Sequence, residues 1–166
     1  MAEFVASLVL VFFGRWPSVM SSTKPDAISG ANQQVKTDEE CRFCMSKPGR
    51  HMMIESEYGF AAFDRHPASE GHFLVIPYRH FASYFDINDV ELVDLWGLVA
   101  RGKEIVDEKH PPDGYNIGIN VGHWAGQSIH HLHIHVIPRY KGDVENPKGG
   151  VRSVIPDKKL YSFSPD

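Results

Sequence analysis

The sequence predicts an α+β domain, because segments of strand character precede and follow one long amphipathic helix. Asn88 followed by Glu91 is typical of a capped helix N-terminus, and apolar residues at helical spacing continue to about Lys109. That apolar stripe includes Trp96, which we expect in the core. Five segments rich in β-branched, aromatic and alternating apolar residues predict strands. They are residues 51–57, 59–64, 72–77, 115–121 and 126–137.

Composition indicates an ordinary globular protein with a polar leader. The 166 residues suit one domain, and 42% hydrophobic and 23% charged residues are typical values. A net charge of −4 argues against a general nucleic-acid surface, so local groups must hold an anionic substrate. The apolar run 5–13 is too short to cross a bilayer as a helix and lacks basic residues before it. We expect a cytoplasmic protein without membrane contact, with a flexible leader at 1–39 and a domain with a C-terminal extension at 40–166.

A row of histidines carries most of the functional signal, since four of the ten fall within six positions. A lone strand histidine is usually structural, and a purification tag would be terminal. Strand period instead places three imidazoles on one face and the aliphatic residues between them on the core face. Each imidazole can be a nucleophile, a hydrogen-bond donor or a metal ligand. The row is His131, His133 and His135, and the aliphatic residues are Leu132, Ile134 and Val136.

The segment 131–137 follows the pattern His-φ-His-φ-His-φ-φ, in which φ is apolar, and resembles the signature of the histidine triad (HIT) nucleotide hydrolases and transferases. The resemblance extends from about residue 40 to residue 159. It implies the HIT fold, with an antiparallel sheet of about five strands, one long helix and one short helix. It also implies a homodimer. The further matching positions are Asp64, residues 71–77, Asn120, Gln127, Ser128 and residues 138–140.

Cys41 and Cys44 are the two cysteines of the chain and form a CxxC pair. Such a pair can be a redox disulfide, half of a zinc site or a coincidence. The flanking sequence lacks the βαβ pattern of a thioredoxin-like motif. The resemblance implies zinc, with His80 and His131 as the remaining ligands. Two thiolates and two imidazoles would complete a tetrahedral shell, which is typical of a structural site.

The resemblance also implies roles for the other matching residues. His133 is the expected nucleophile, and His135 and His72 are expected to donate hydrogen bonds to phosphate oxygens. Gln127 and Ser128 are expected near the leaving-group oxygen, and Asp64 at the ribose hydroxyls. The expected nucleotide-binding residues are Asp64, Phe63, Asn120, Gln127, Ser128, His133 and His135.

The function implied is hydrolysis at the α-phosphorus of adenylyl substrates, such as the dinucleoside polyphosphate Ap4A, through a nucleotidyl-histidine intermediate. A histidine at position 135, where the uridylyltransferase branch has Gln, favours hydrolysis. Mg²⁺ can accompany a polyphosphate substrate. Adenosine 5'-phosphoramidase activity and a nucleotide-binding interaction protein remain alternatives.

Two flanking segments are harder to assign from the sequence. Residues 122–126 predict a flexible glycine-containing loop whose N–H groups can approach phosphate. Lys148 and Arg152 either reach a distal phosphate or belong to a solvated tail.

Overall fold

The computed structural model describes residues 41–45 and 52–161, so the leader predicted at 1–39 lies outside the described residues. One long helix is preceded in the chain by a short helix, and 3-10 turns occupy several connections. The strands are β1 (Met52–Glu55), β2 (Gly59–Phe63), β3 (Phe73–Pro77), β4 (Gly114–Gly118) and β5 (Ile134–Arg139), and the helices are α1 (Arg42–Met45) and α2 (Asp89–Lys109).

The five strands form one antiparallel sheet in the order β1-β2-β3-β5-β4. The last strand in sequence therefore lies between β3 and β4, which makes β1 and β4 the edges. Together with one long and one short helix, this confirms the predicted fold class.

Helix α2 packs on one face of the sheet, where the main core lies. Side chains of β2, β3 and β5 that point to this face are fully buried with the inner face of α2. Gly102 allows the close approach, because a Cβ there would lie 2.6 Å from the Phe73 ring. On the opposite face Phe60, Leu74 and Ile76 form a smaller cluster against Phe43.

The predicted start of α2 is confirmed. Asn88 accepts from the Glu91 N–H, and the Glu91 carboxylate accepts from the Asn88 N–H, which completes a capping box. The buried Glu91 also binds the guanidinium of Arg79 at 2.7 Å. The core assignment of Trp96 is wrong: its side chain is 40% exposed on the outer face of α2.

The strand boundaries differ most from prediction around the histidine row. β5 begins at Ile134 rather than near 126, so His131 and His133 precede the strand. The His131 carbonyl accepts from the His133 side chain, and the Leu132 N–H donates to Phe81 O; periodicity does not reveal either partner. The predicted burial of the aliphatic residues is confirmed: Leu132, Ile134 and Val136 lie in the main core.

Within the described residues, no helix is long and apolar enough to cross a membrane. The cytoplasmic location stays a prediction.

Candidate active site

Two neighbouring strands bring His135 to the face of the sheet opposite α2. His135 pairs with Leu74 of β3 on one side and with Gly118 of β4 on the other. The segment before it is attached to residues 81 and 82, because the Leu132 N–H donates to Phe81 O at 2.6 Å and the Gln127 side-chain amide donates to Ala82 O at 2.8 Å. The histidine row therefore has a fixed position relative to the sheet.

The tautomer of His133 follows from its backbone partner. Its Nδ1 lies 2.8 Å from His131 O, and a carbonyl can only accept, so Nδ1 carries the hydrogen. Nε2 is then left with its lone pair. Burial lowers the pKa of His133, against smaller opposing effects of the hydrogen bond to His131 and of Asp64. A buried neutral imidazole with one nitrogen oriented and the other unprotonated is suited to nucleophilic attack.

A chain of hydrogen bonds fixes the tautomers of His72 and His135. The Ala68 N–H donates to His72 Nδ1 at 3.0 Å, so His72 carries its hydrogen on Nε2. That Nε2–H donates to His135 Nδ1 at 3.1 Å, which leaves the hydrogen of His135 on Nε2. The backbone N–H of Ala68 thus determines, through His72, that His135 presents an N–H donor at Nε2. This donor can stabilise charge on a phosphate oxygen.

The electrostatics keep this chain neutral at physiological pH. Burial lowers the pKa of His135 to about 4, with further lowering by His133 and His72. Burial likewise lowers the pKa of His72, while Asp64 acts in the opposite direction. Although Asp64 Oδ2 lies 3.7 Å from His72 Nδ1, the two groups are therefore not an ion pair near neutral pH.

Asp64 lies beside His72. Its Oδ1 accepts from the His66 N–H at 2.9 Å, and its other oxygen faces His72. Phe63 packs against the main core, Asn120 is half-buried and Ser128 is exposed. The nucleotide contacts assigned to these residues stay predictions.

Gln127 braces the loop predicted to be flexible. Its Oε1 accepts from the Gly122 N–H at 2.8 Å, and its Nε2 donates to Ala82 O. One amide hydrogen is used in this way and one remains for another acceptor. The loop itself contains a 3-10 turn, His123–Ala125, and its flexibility stays a prediction. The placement of Gln127 at a leaving group stays a prediction.

A second cluster brings together the four predicted metal ligands Cys41, Cys44, His80 and His131, whose ligand atoms all lie within 4.8 Å of one another. The Sγ–Nδ1 separations of 3.2 to 3.4 Å and the Nδ1–Nδ1 separation of 3.2 Å are close to the edges of a tetrahedron. A zinc ion with bonds of about 2.0 to 2.3 Å spaces its ligands by roughly 3.3 to 3.8 Å. The donor set and its spacing therefore fit zinc.

The orientation of His131 supports the same conclusion. Its Nε2–H donates to Pro77 O at 2.8 Å, so Nδ1 is unprotonated and faces the two thiols. His131 thus contributes its ring to the cluster and its carbonyl to His133. A backbone carbonyl is the acceptor expected for a nucleophilic imidazole, but the sequence does not identify His131 or Pro77 as the residue that supplies it. The sequence also gives no sign of Phe43, whose ring lies edge-on to His131 at 5.8 Å and to His133 at 5.3 Å.

A second group of possible ligands, formed by Asp64, His72 and His135, is the hydrogen-bonded chain itself. Its two imidazoles already form hydrogen bonds with each other and with the Ala68 N–H. With one carboxylate it does not resemble the oxygen-rich shell that Mg²⁺ prefers. Mg²⁺ would have to enter with the polyphosphate, and this expectation stays untested.

The C-terminal segment satisfies several of its own polar groups. Arg152 donates to Lys158 O and lies 4.9 Å over the Tyr161 ring, and Lys148 lies 5.8 Å from the same ring. Lys148 and Arg152 thus contact residues of their own segment. Binding of a distal phosphate and a solvated tail both stay predictions for them.

Comparison with known proteins identifies the family. A HIT domain model matches residues 47–142, more than half of the 166 residues. The chain therefore belongs to the HIT family.

The relatives include proteins with and without a named activity. An uncharacterized HIT-like protein of Methanocaldococcus jannaschii is 38% identical over 124 residues, which cover 72% of this chain and 95% of that protein. Bis(5'-adenosyl)-triphosphatase of Dictyostelium discoideum is 40% identical over 95 residues, which cover 57% of this chain. These residues cover 64% of that enzyme, so the chain spans just under two thirds of its length.

The fold is shared with solved structures. A member of the HIT family from Bacillus subtilis superimposes with a TM-score of 0.59 at 25% identity, covering 77% of this chain and 83% of that one.

Proposed function

We propose that the protein hydrolyses dinucleoside polyphosphates such as Ap4A at the α-phosphorus, with His133 as nucleophile. The observation that carries the proposal is the bond from His133 Nδ1–H to His131 O, because it leaves Nε2 unprotonated in a buried neutral ring. The name of the Dictyostelium relative, a bis(5'-adenosyl)-triphosphatase, supports a dinucleoside polyphosphate as substrate.

The reaction proceeds in two displacements at phosphorus. His133 Nε2 forms a bond to the α-phosphorus while the bond from phosphorus to the bridging oxygen breaks, and the polyphosphate leaves with that electron pair. Water then attacks the same phosphorus while the bond from phosphorus to His133 Nε2 breaks, and the proton of the water passes to the solvent. The nucleoside monophosphate leaves, and His133 is restored. His135 Nε2–H donates to a nonbridging oxygen in both steps, as its tautomer requires. Asp64 accepts from the ribose hydroxyls.

We also propose one structural zinc per chain, held by Cys41, Cys44, His80 and His131. When bound, the ion supplies a cross-link and no reaction step, because four protein ligands close its shell. The distances within the cluster and the bond from His131 to Pro77 O support this assignment.

We propose that two copies pair through the outer face of α2 and the edge strand β4. The support is apolar surface that is exposed on both elements. Val90, Val93 and Trp96 lie on the helix, and Ile117 lies on the strand.

Turnover of a substrate panel tests the proposed function. We expect release of AMP from Ap4A and Ap3A, and little turnover of the AMP phosphoramidate by comparison. Rapid acid-free quenching with labelled Ap4A should trap an adenylyl group on His133. His133→Ala should abolish turnover and leave AMP affinity nearly unchanged, because the ribose contacts lie at Asp64.

The same panel distinguishes the alternatives. Preferential cleavage of the phosphoramidate would make the protein a phosphoramidase. Binding of AMP without turnover of any substrate would make it a nucleotide-binding interaction protein.

A further inference from the structure

Trp124 lies on the connection between β4 and β5, and both ends of this connection meet beside the histidines. β4 ends at Gly118, which pairs with His135 of β5. Residues 119–133 therefore leave the sheet next to His135 and return just before it. Asp64 and the turn lie toward opposite ends of β3, because the Asp64 N–H donates to His72 O just before β3, whereas the Gln127 side chain next to the turn donates to Ala82 O beyond the end of β3.

The turn that carries Trp124 is closed and anchored by several hydrogen bonds. Gly122 and Gly126 have φ values of 85° and 86°, which L side chains rarely adopt, and they border the 3-10 turn. The turn is closed by backbone bonds from Ala125 and Gln127 to Gly122 O, and the Gln127 side chain joins it to Ala82. Trp124 is thus presented from a fixed support.

The Trp124 side chain is 99% exposed, and the ring of His123 lies edge-on to it at 5.4 Å. An indole carries roughly 150 to 250 Å² of surface that is mostly apolar, so full exposure leaves a large hydrophobic contribution unused. It does not contribute to packing the core. A planar aromatic ring on an ordered turn is the usual platform for a nucleobase.

We propose that Trp124 stacks on the base of the leaving nucleotide of a dinucleoside polyphosphate. The inference rests on the proposed function, in which the first nucleoside lies at Asp64 and the polyphosphate leaves from His133. The second nucleoside then extends away from Asp64, toward the end of β3 at which the turn lies. Trp124 makes the enzyme select substrates that carry a nucleoside on both ends. The remaining amide hydrogen of Gln127 is available to the polyphosphate between them.

The test compares Ap4A with adenosine 5'-tetraphosphate, which has the same reacting phosphorus and lacks the second nucleoside. The quantity measured is the ratio of kcat/KM for Ap4A to kcat/KM for adenosine tetraphosphate, in the full chain. Trp124→Ala should lower this ratio by about 5- to 150-fold, the range for one stacked base. Trp124→Phe should retain most of it. Phe85→Ala, which removes another exposed aromatic ring from a 3-10 turn, serves as the matched control and should leave the ratio unchanged.

Each other outcome overturns the inference. An equal loss of kcat/KM for both substrates would make Trp124 a support of the loop, and wild-type kcat/KM for both substrates would remove it from recognition. An unchanged ratio accompanied by a different sedimentation coefficient would place Trp124 at a contact between copies. If wild-type protein cleaves neither compound, the proposed function fails and this inference fails with it. Wild-type activity with an unchanged ratio refutes the inference alone.

Discussion

Replacing His135 by alanine tests the chain of hydrogen bonds that begins at Ala68. The substitution removes the N–H donor proposed for the phosphate, and loss of one such donor costs about 10²- to 10³-fold in kcat. It also removes the acceptor of the His72 Nε2–H. Because His72 is only 4% exposed, an unpaired N–H there should cost about 1 to 3 kcal/mol of folding free energy. For a chain of this length that corresponds to about 2 to 4 °C in Tm per kcal/mol.

Steady-state kinetics with Ap4A and thermal unfolding measure both effects in the same preparation. His130→Ala is the control, since it removes a histidine from the same segment that has no part in the chain. We expect near wild-type rate and stability for that variant. Wild-type turnover in His135→Ala, or an equal loss in His130→Ala, would refute the assignment of His135 as donor.

Three other predictions follow from the structure. The fall of kcat/KM for Ap4A at acid pH should have its midpoint below pH 6.5, because burial lowers the pKa of His133 and the neutral ring is lost only as pH falls through that pKa. A midpoint above pH 6.5 would contradict this assignment. Metal analysis should find about one zinc per chain, and Cys41→Ser should lower Tm clearly while lowering kcat of the folded fraction only slightly. Metal-free protein with unchanged Tm would exclude the site. Phe73→Ala should cost about 3 to 5 kcal/mol in denaturant unfolding, against about 0.5 or less for the exposed Phe85→Ala.

The pH prediction has a counterpart in stability. Unfolded histidines titrate near pH 6.5, whereas the pKa of folded His135 is about 4. Between these values the unfolded chain binds more protons, so folding stability should rise with pH across this window. Denaturant unfolding at several pH values measures the slope, and a fall in stability with rising pH would contradict buried neutral imidazoles.

Much of the fold could be predicted because it depends on side-chain patterns. The capping box at Asn88 and Glu91 fixes the start of α2, and alternation correctly places Leu132 and Ile134 in the core. Trp96 shows the limit of such patterns. Helical spacing assigns a residue to an apolar stripe, but it does not show how wide a stripe one sheet can cover.

The candidate site could be predicted as a set of residues more readily than as a geometry. The CxxC pair and the two histidines do converge, as the resemblance implies. The atoms that orient the imidazoles are main-chain groups of Ala68, Pro77 and His131, and any residue type except proline supplies an N–H. Side-chain patterns do not identify which main-chain groups these are, although the chemistry of a nucleophilic imidazole does require a hydrogen-bond acceptor at its second nitrogen.

The metal-ligand cluster joins parts of the chain that are far apart in sequence, since 90 residues separate Cys41 from His131. A metal ion bound there closes a loop around nearly the whole sheet. Such a loop restricts the unfolded ensemble as a disulfide does, and the entropy lost on closure grows only slowly with loop length. His80 follows β3 and His131 precedes β5, so the pairing of these two strands and the binding of a metal ion favour each other.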